Sequence, residues 1–234
     1  MEFINKRYRN KLMHFFKLFF YDLYKILKYG RKFDLYGVTV FVGRQGEGKT
    51  ISMVDYLDRM SKKFPECLIV TNFDYVNRDK QMESWDDIFN IRNGEKGVIF
   101  AIDELQNEYD STKWKDFPEG LLSEITMQRK QRIKIVATSQ IFGRMVKQLR
   151  EQTFEVVECR TFFNRWTVNK CYDAWEYENC DGDRDKIRKL FKRWKWSFIQ
   201  TDELRKRYDT YEKIQKIAKD GFIEREIRFH AIGG

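Results

Sequence analysis

Histidine, proline and paired cysteine are all scarce in this chain. Its 234 residues include two histidines, His14 and His230, near opposite ends. Its four cysteines, Cys67, Cys159, Cys171 and Cys180, show no C-x-x-C spacing. That scatter argues against a metal centre built from Cys and His. Cys67 and Cys159 lie inside apolar, strand-like runs, which predicts buried thiols rather than disulfides. Two prolines leave no Pro-rich linker, and a hydrophobic content of 42% is enough for a packed core. No apolar run is long enough to cross a bilayer. The nearest, Phe15 to Leu27, is interrupted by Lys17, Asp22 and Lys25. The N-terminus has no secretory pattern, so the expected location is cytoplasmic.

What the chain has instead is positive charge and one dense glycine motif. The formal net charge of +9 predicts a polyanionic partner, either nucleic acid or an anionic membrane surface. The motif is Gly43-Arg44-Gln45-Gly46-Glu47-Gly48-Lys49-Thr50, which fits G-x-x-x-x-G-K-[ST] at every fixed position. Before it, Val38 to Val42 reads as a buried strand. After it, Ile51 to Met60 has apolar residues at helical spacing. Strand, glycine loop and helix start suit a triphosphate, because glycines let backbone N–H groups turn inward and the helix N-terminus adds partial positive charge. Residues Gly43 to Thr50 and the helical Ile51 are therefore the candidate nucleotide-binding set. Lys49 is placed to reach the β- and γ-phosphates of ATP, and the Thr50 hydroxyl to ligate Mg²⁺.

The rest of the chain divides into three parts. Residues 1–34 form a basic, aromatic leader with nine Lys or Arg against three acids. Phe16, Phe19, Phe20, Leu23, Ile26 and Leu27 recur there at three- and four-residue spacing, which predicts an amphipathic helix. Three roles stay open for it: packing on the core, docking onto a partner protein, or lying on a membrane surface. Residues 35–160 alternate strand and helix patterns. Strands are expected at 67–73, 97–102, 133–138 and 154–159 besides the first, with a polar loop at 74–82 and a helix from Pro118 to Arg132. That alternation predicts a parallel sheet with right-handed crossovers. Residues 161–234 are expected to add a hairpin through 165–172 and a basic helical tail. Between Arg184 and Arg207 the tail carries ten Lys or Arg against three acids, interleaved with Phe191, Trp194, Trp196 and Phe198.

Asp103 ends the continuous apolar strand Gly97 to Ile102 and is the candidate Walker B carboxylate for Mg²⁺, opposite Thr50. Glu104 follows directly. Alternation along a strand would aim the two side chains differently, leaving Glu104 to polarise the attacking water. Gln140 ends the next strand and is the candidate sensor of the γ-phosphate. Arg129, Lys130 and Arg132 cluster before that strand. Arg129 or Arg132 from a neighbouring subunit is the candidate finger on the transferring phosphoryl group, with Arg150 as a further candidate.

Taken together, Gly43–Thr50, Asp103-Glu104, Ala137-Thr138-Ser139-Gln140 and Arg150 resemble the FtsK/HerA branch of P-loop ATPases. Within it the pattern is most similar to the zonula-occludens-toxin-like group, which includes filamentous-phage gene I proteins; genome-packaging ATPases of small tailed phages share the layout. The resemblance covers roughly residues 36–160. It implies an α/β, RecA-like (ASCE) P-loop core with a mostly parallel five-stranded sheet, in which the Gln140 strand lies between the phosphate-loop and Asp103 strands. It also implies a homo-oligomeric ring with ATP at the subunit interfaces. Gene I-type proteins usually carry a transmembrane segment, and none is expected here, which favours a motor on double-stranded DNA over an export machine. Phage genome packaging in the host cytoplasm is thus the first expectation, with a portal or other phage protein as the leader's docking partner. The alternatives are an ATPase that powers virion assembly, export or DNA transfer at a membrane, and a nucleotide-dependent switch, against which Glu104 argues.

Overall fold

The computed structural model describes residues 11–105, 129–145 and 147–209. The first strand, β1 (Gly37–Val42), is buried along its whole length and leads into the glycine loop and α2 (Lys49–Lys63). It follows the leader helix α1 (Lys11–Tyr29). β2 (Leu68–Thr71), β5 (Val98–Ile102), β6 (Ile133–Ser139) and β7 (Thr153–Phe162) complete the expected parallel set. They stand in the order β2-β5-β6-β1-β7, every neighbouring pair parallel, so β6 lies between the phosphate-loop strand and the Asp103 strand. β1, β5 and β6 are buried throughout because both faces are covered. Alternate residues enter opposite layers: Val38, Val40 and Val42 pack on one side and Phe41 on the other, as do Phe100 and Ile102 against Ile99 and Ala101.

The sheet has eight strands rather than five. Within the expected polar loop at 74–82, β3 (Asp74–Tyr75) and β4 (Lys80–Gln81) form, and β4 extends the sheet beside β2. At the other edge, β7 runs on into the expected hairpin with β8 (Trp166–Asp173), turning at residues 163–165. β9 (Trp194–Ile199) then pairs antiparallel with β8. The expected helical tail is therefore a strand over this segment. Trp194, Trp196 and Phe198 are half-buried while Lys195, Ser197 and Ile199 are exposed, a period of two that outweighs the helix-compatible charge.

Short helices complete the described chain: α3 (Asp87–Asn90), α4 (Lys147–Glu151), α5 (Ala174–Glu178), α6 (Arg184–Lys189) and α7 (Asp202–Arg205). Asp183 accepts from the backbone N–H groups of Asp185 and Lys186 and so caps α6. β10 (Tyr208–Asp209) pairs with β3, and the buried Asp58 on α2 accepts from Tyr75 Oη at 2.7 Å and Arg207 Nη1 at 2.9 Å. This ties the extension back to the core. All four cysteines are free and buried. The helix expected from Pro118 to Arg132 lies mostly outside the described residues.

α1 is helical as expected, but every one of its residues is exposed. The option that the leader packs on the core therefore does not hold for this helix. Gly30, in the left-handed region at φ 78°, closes it by donating to Ile26 O, and the chain rejoins the core at Phe33. Phe33 sits against Phe64 and directly over Gly97, where a Cβ would collide with its ring. No helix among the described residues is long and apolar enough to cross a membrane.

Candidate nucleotide-binding site

The glycine loop leaves the C-terminal end of β1, where Val42 is held between Ser139 and Glu158 of the flanking strands. Gly48 sits at φ 84°, and a Cβ there would lie 2.6 Å from Thr161 Oγ1, so only glycine permits this approach. Lys49 Nζ donates to Arg44 O at 3.1 Å, which folds the ammonium over the loop. Glu47 braces the same turn: its carboxylate accepts from Arg44 N at 2.6 Å, and its own N–H donates to Arg44 O.

The loop is joined to the end of β5 through hydroxyls. Thr50 Oγ1 donates to Asp103 Oδ1 at 3.0 Å, and Thr138 Oγ1 on β6 donates to the same oxygen at 2.6 Å. Thr138 Oγ1 also accepts from the Glu104 backbone N–H at 2.8 Å. One β6 hydroxyl thereby fixes both acidic positions. From the other neighbouring strand, Asn72 accepts from Asp103 N at 2.8 Å and donates to Asp103 O at 3.3 Å. Asp103 is buried at 5% exposure, while Glu104 is half-buried.

Glu104 is not aimed by strand alternation. β5 ends at Ile102, and Glu104 adopts φ 53°, so a left-handed turn separates it from Asp103. Gln140 stands one residue beyond β6 and is exposed. With Gly43, Arg44, Glu47 and Arg150 it borders a cleft of about 640 Å³ beside the loop. Arg150 Nη1 donates to Gly143 O at 3.0 Å and its Nε lies 3.4 Å from Glu178 Oε1. The structure thus brings together Gly43 to Ile51, Asp103, Glu104 and Gln140.

Arg129 and Arg132 are elsewhere. Both precede β6 and lie at the N-terminal edge of the sheet, a full strand length from the loop. Arg132, at φ 56°, donates to Phe33 O at 2.7 Å and lies 4.0 Å from Glu95. Arg129 is exposed, its guanidinium 5.7 Å from the centre of the Tyr36 ring. Neither reaches the loop of its own chain.

Three contributors have roles that the motifs do not assign: Asn72, Gln200, and Thr138 within the Ala137 to Gln140 segment. Gln200 Nε2 donates to Thr167 Oγ1 at 2.8 Å and to Thr161 Oγ1 at 3.2 Å, and Thr161 Oγ1 donates to Glu47 O at 3.0 Å. Arg205 in turn donates to Gln200 Oε1 at 2.8 Å. The C-terminal extension therefore buttresses the back of the phosphate loop. A signal for Asn72 and Thr138 was present, since both are polar residues at or next to the C-terminal ends of buried parallel strands, where α/β sheets bind ligands.

Burial also shapes reactivity nearby. The Cys159 thiol, enclosed behind the loop, is pushed up to about 12 by desolvation, which keeps it protonated and inert at neutral pH. Thr50 Oγ1 and Asp103 Oδ1, 3.0 Å apart, are hard oxygen donors of the kind that fits Mg²⁺, and Lys49 fits a phosphate.

A phosphate loop after β1, an acid pair after β5, and the intervening β6 give a P-loop NTPase fold in the strand order that the resemblance implies. By structure, the chain is similar to the N-terminal domain of zonular occludens toxin from Neisseria meningitidis, with TM-score 0.52 and 16% identity over 75% of this chain and 100% of that one. A weaker likeness joins it to a second solved ATPase domain (TM-score 0.47, 12% identity, 78% of this chain and 87% of that one). Another is to the genome packaging NTPase B204 from Sulfolobus turreted icosahedral virus 2 in complex with AMP (TM-score 0.41, 13% identity, 59% of this chain and 93% of that one). No protein-family model and no curated protein matches the sequence. The similarity that the motifs bear to the zonula-occludens-toxin-like group thus extends to the fold.

Proposed function

We propose that this chain is an ATP-hydrolysing P-loop enzyme that works as a homo-oligomeric ring and moves double-stranded DNA, with phage genome packaging as its setting. The observation that carries the hydrolytic part is the Thr138 hydroxyl, which holds Asp103 through its side chain and Glu104 through its backbone N–H. The γ-phosphate is gripped by Lys49 and the loop N–H groups. Thr50 and Asp103 would hold Mg²⁺, which when bound neutralises charge on the β- and γ-oxygens. Glu104 orients and polarises the attacking water and takes its proton. Gln140, next to the loop, responds to the presence of the γ-phosphate. Charge on the transferring group is stabilised from a neighbouring subunit by Arg129 or Arg132. Of the two, the exposed Arg129 suits a role in trans better than Arg132, which is engaged on Phe33 O.

The cargo rests on charge. The net +9 and the exposed Lys and Arg between Arg184 and Lys195 suit sequence-independent, salt-sensitive contact with phosphates. The second reading, a phage or mobile-element ATPase that powers virion assembly, export or DNA transfer at a membrane, is favoured by the exposed aromatic helix α1. The deciding experiment is the rate of ATP hydrolysis with and without linear duplex DNA, at low and high salt. The DNA motor predicts stimulation that fades with salt and is absent in Lys49→Ala. Turnover indifferent to DNA at every salt concentration would sink it.

A further inference from the structure

We propose that α1 is an interfacial anchor that lies on an anionic phospholipid surface. Every residue from Lys11 to Tyr29 is exposed, including Phe16, Phe19, Phe20, Leu23 and Leu27. With 3.6 residues per turn, Leu12, Met13, Phe15, Phe16, Phe19, Phe20, Leu23, Tyr24, Ile26 and Leu27 share one half of the helix, about 180° of its circumference. The other half carries Lys17, Lys25 and Lys28 with Asp22 as its one acid, and Leu18 as its one aliphatic residue.

The width of the apolar half selects the occupant. A helix seated on a protein surface buries a stripe of roughly 100°. A helix sunk to its midline in a lipid interface buries about half its circumference and leaves cations at headgroup level. The tyrosines fit that depth. Lys25 Nζ stands 4.4 Å from the centre of the Tyr21 ring and Lys28 Nζ 5.2 Å from that of Tyr29, each ammonium beside a ring whose hydroxyl can stay wet. Duplex DNA would engage the lysines and leave the phenylalanines in water. Crossing the bilayer is opposed by Lys17, Asp22 and Lys25. Anionic headgroups are favoured because the charged half is mainly cationic.

The anchor also has a fixed point of departure. Phe33 is locked against Phe64 and Gly97, and its carbonyl is held by Arg132, at the N-terminal edge of the sheet. The phosphate loop opens at the C-terminal edge. The chain therefore leaves for the membrane from the edge opposite the nucleotide site.

This proposal is independent of the cargo assigned above. Its test is co-sedimentation of the full chain with phosphatidylcholine vesicles made with and without phosphatidylserine. The protein is expected to pellet with the phosphatidylserine vesicles and to stay largely in solution with phosphatidylcholine alone. The triple variant Phe16→Ser, Phe19→Ser, Phe20→Ser should weaken partitioning by about tenfold per phenylalanine. Lys17→Gln, Lys25→Gln and Lys28→Gln together should weaken it by about fivefold per lysine, on the anionic vesicles only. Because these side chains are exposed, ATP turnover without vesicles should be the same in all three proteins. The proposal is overturned if the wild type stays in solution with both vesicles, pellets equally with both, or pellets as well after the phenylalanines are removed. Self-association that depends on Phe16, Phe19 and Phe20 without vesicle binding would assign the face to a second copy and overturn it as well.

Discussion

The two edges of the sheet are made by the same strands and hold opposite kinds of polar group. At the C-terminal ends of β1, β5 and β6, short side chains meet a loop: Thr50 and Thr138 converge on Asp103 within 3.0 Å, and Glu104 and Gln140 stand half-buried or exposed beside them. At the N-terminal ends, long cations are used up on fixed acceptors. Lys134 is buried and donates to Thr39 Oγ1 at 2.7 Å and Tyr36 O at 3.2 Å, while Thr39 Oγ1 itself donates to Glu155 at 3.0 Å. Arg132 closes the same edge on Phe33 O. The difference teaches where a perturbation should be read. Changes at the first edge should alter turnover, and changes at the second should alter stability.

The arginines break this comparison most sharply. Arg129→Ala is expected to lower kcat by about 10³-fold or more if it acts across a subunit interface, with little change in thermal stability. Arg132→Ala should instead cost about 2 kcal/mol of stability, because a hydrogen bond from a charged donor is lost, and leave kcat near wild type. Single-turnover hydrolysis and thermal unfolding of both variants decide the matter. A kcat collapse in Arg132→Ala with unchanged stability would reverse the assignment.

Lys134 supplies a pH test of the structural edge. Burial lowers it from its ordinary 10.5 to about 8, against the partial opposition of Glu155. Between those values the unfolded chain binds a proton that the folded chain does not, so this residue makes stability rise as pH increases from about 8 to about 10.5. Below about 8 the penalty is fully present, about 3 kcal/mol at most. Buried thiols act the other way: Cys159, raised to about 12, contributes stability that is lost as pH climbs above the ordinary thiol value. Denaturant melts of wild type and Lys134→Met over pH 7 to 10 should therefore show their largest gap at the acid end, with the variant the more stable. Parallel curves across that range would contradict the buried cation.

A smaller effect is expected behind the loop. Gln200→Leu leaves the hydroxyls of Thr161 and Thr167 short of a partner, at about 1 kcal/mol. Because Thr161 holds Glu47 O, the loss should appear as a roughly fivefold weaker Kd for ATP with kcat little changed. Isothermal titration against an ATP analogue would show it, and an unchanged Kd would confine Gln200 to structure.

These contrasts also explain what was legible in the sequence. Gly43 to Thr50 form one contiguous motif, and Asp103 is marked by the apolar run it ends, so both could be read without a fold. The order of β1, β6 and β5 followed from the resemblance. Asn72 and Thr138 could not be paired with Asp103 in advance, because they are 31 and 35 residues from it in sequence and meet it only through the strand order. Gln200 was hidden for a further reason. It follows β9, whose Trp194-Lys195-Trp196-Ser197-Phe198 alternation was outweighed by the density of basic residues around it. Strands as short as Lys80–Gln81 carry no periodic signal at all. The arginines near β6 were grouped by chemistry alone, which says nothing about the end of a strand on which they fall.

The most direct test of the hydrolytic edge is Glu104→Gln, measured for ATP binding and ATP turnover in the same preparation. If Thr138 and the turn after β5 position Glu104 to activate water, binding should stay close to wild type while turnover falls by about 10²- to 10⁴-fold. Wild-type turnover no faster than that of Glu104→Gln would contradict the proposal and leave the chain a nucleotide-binding switch.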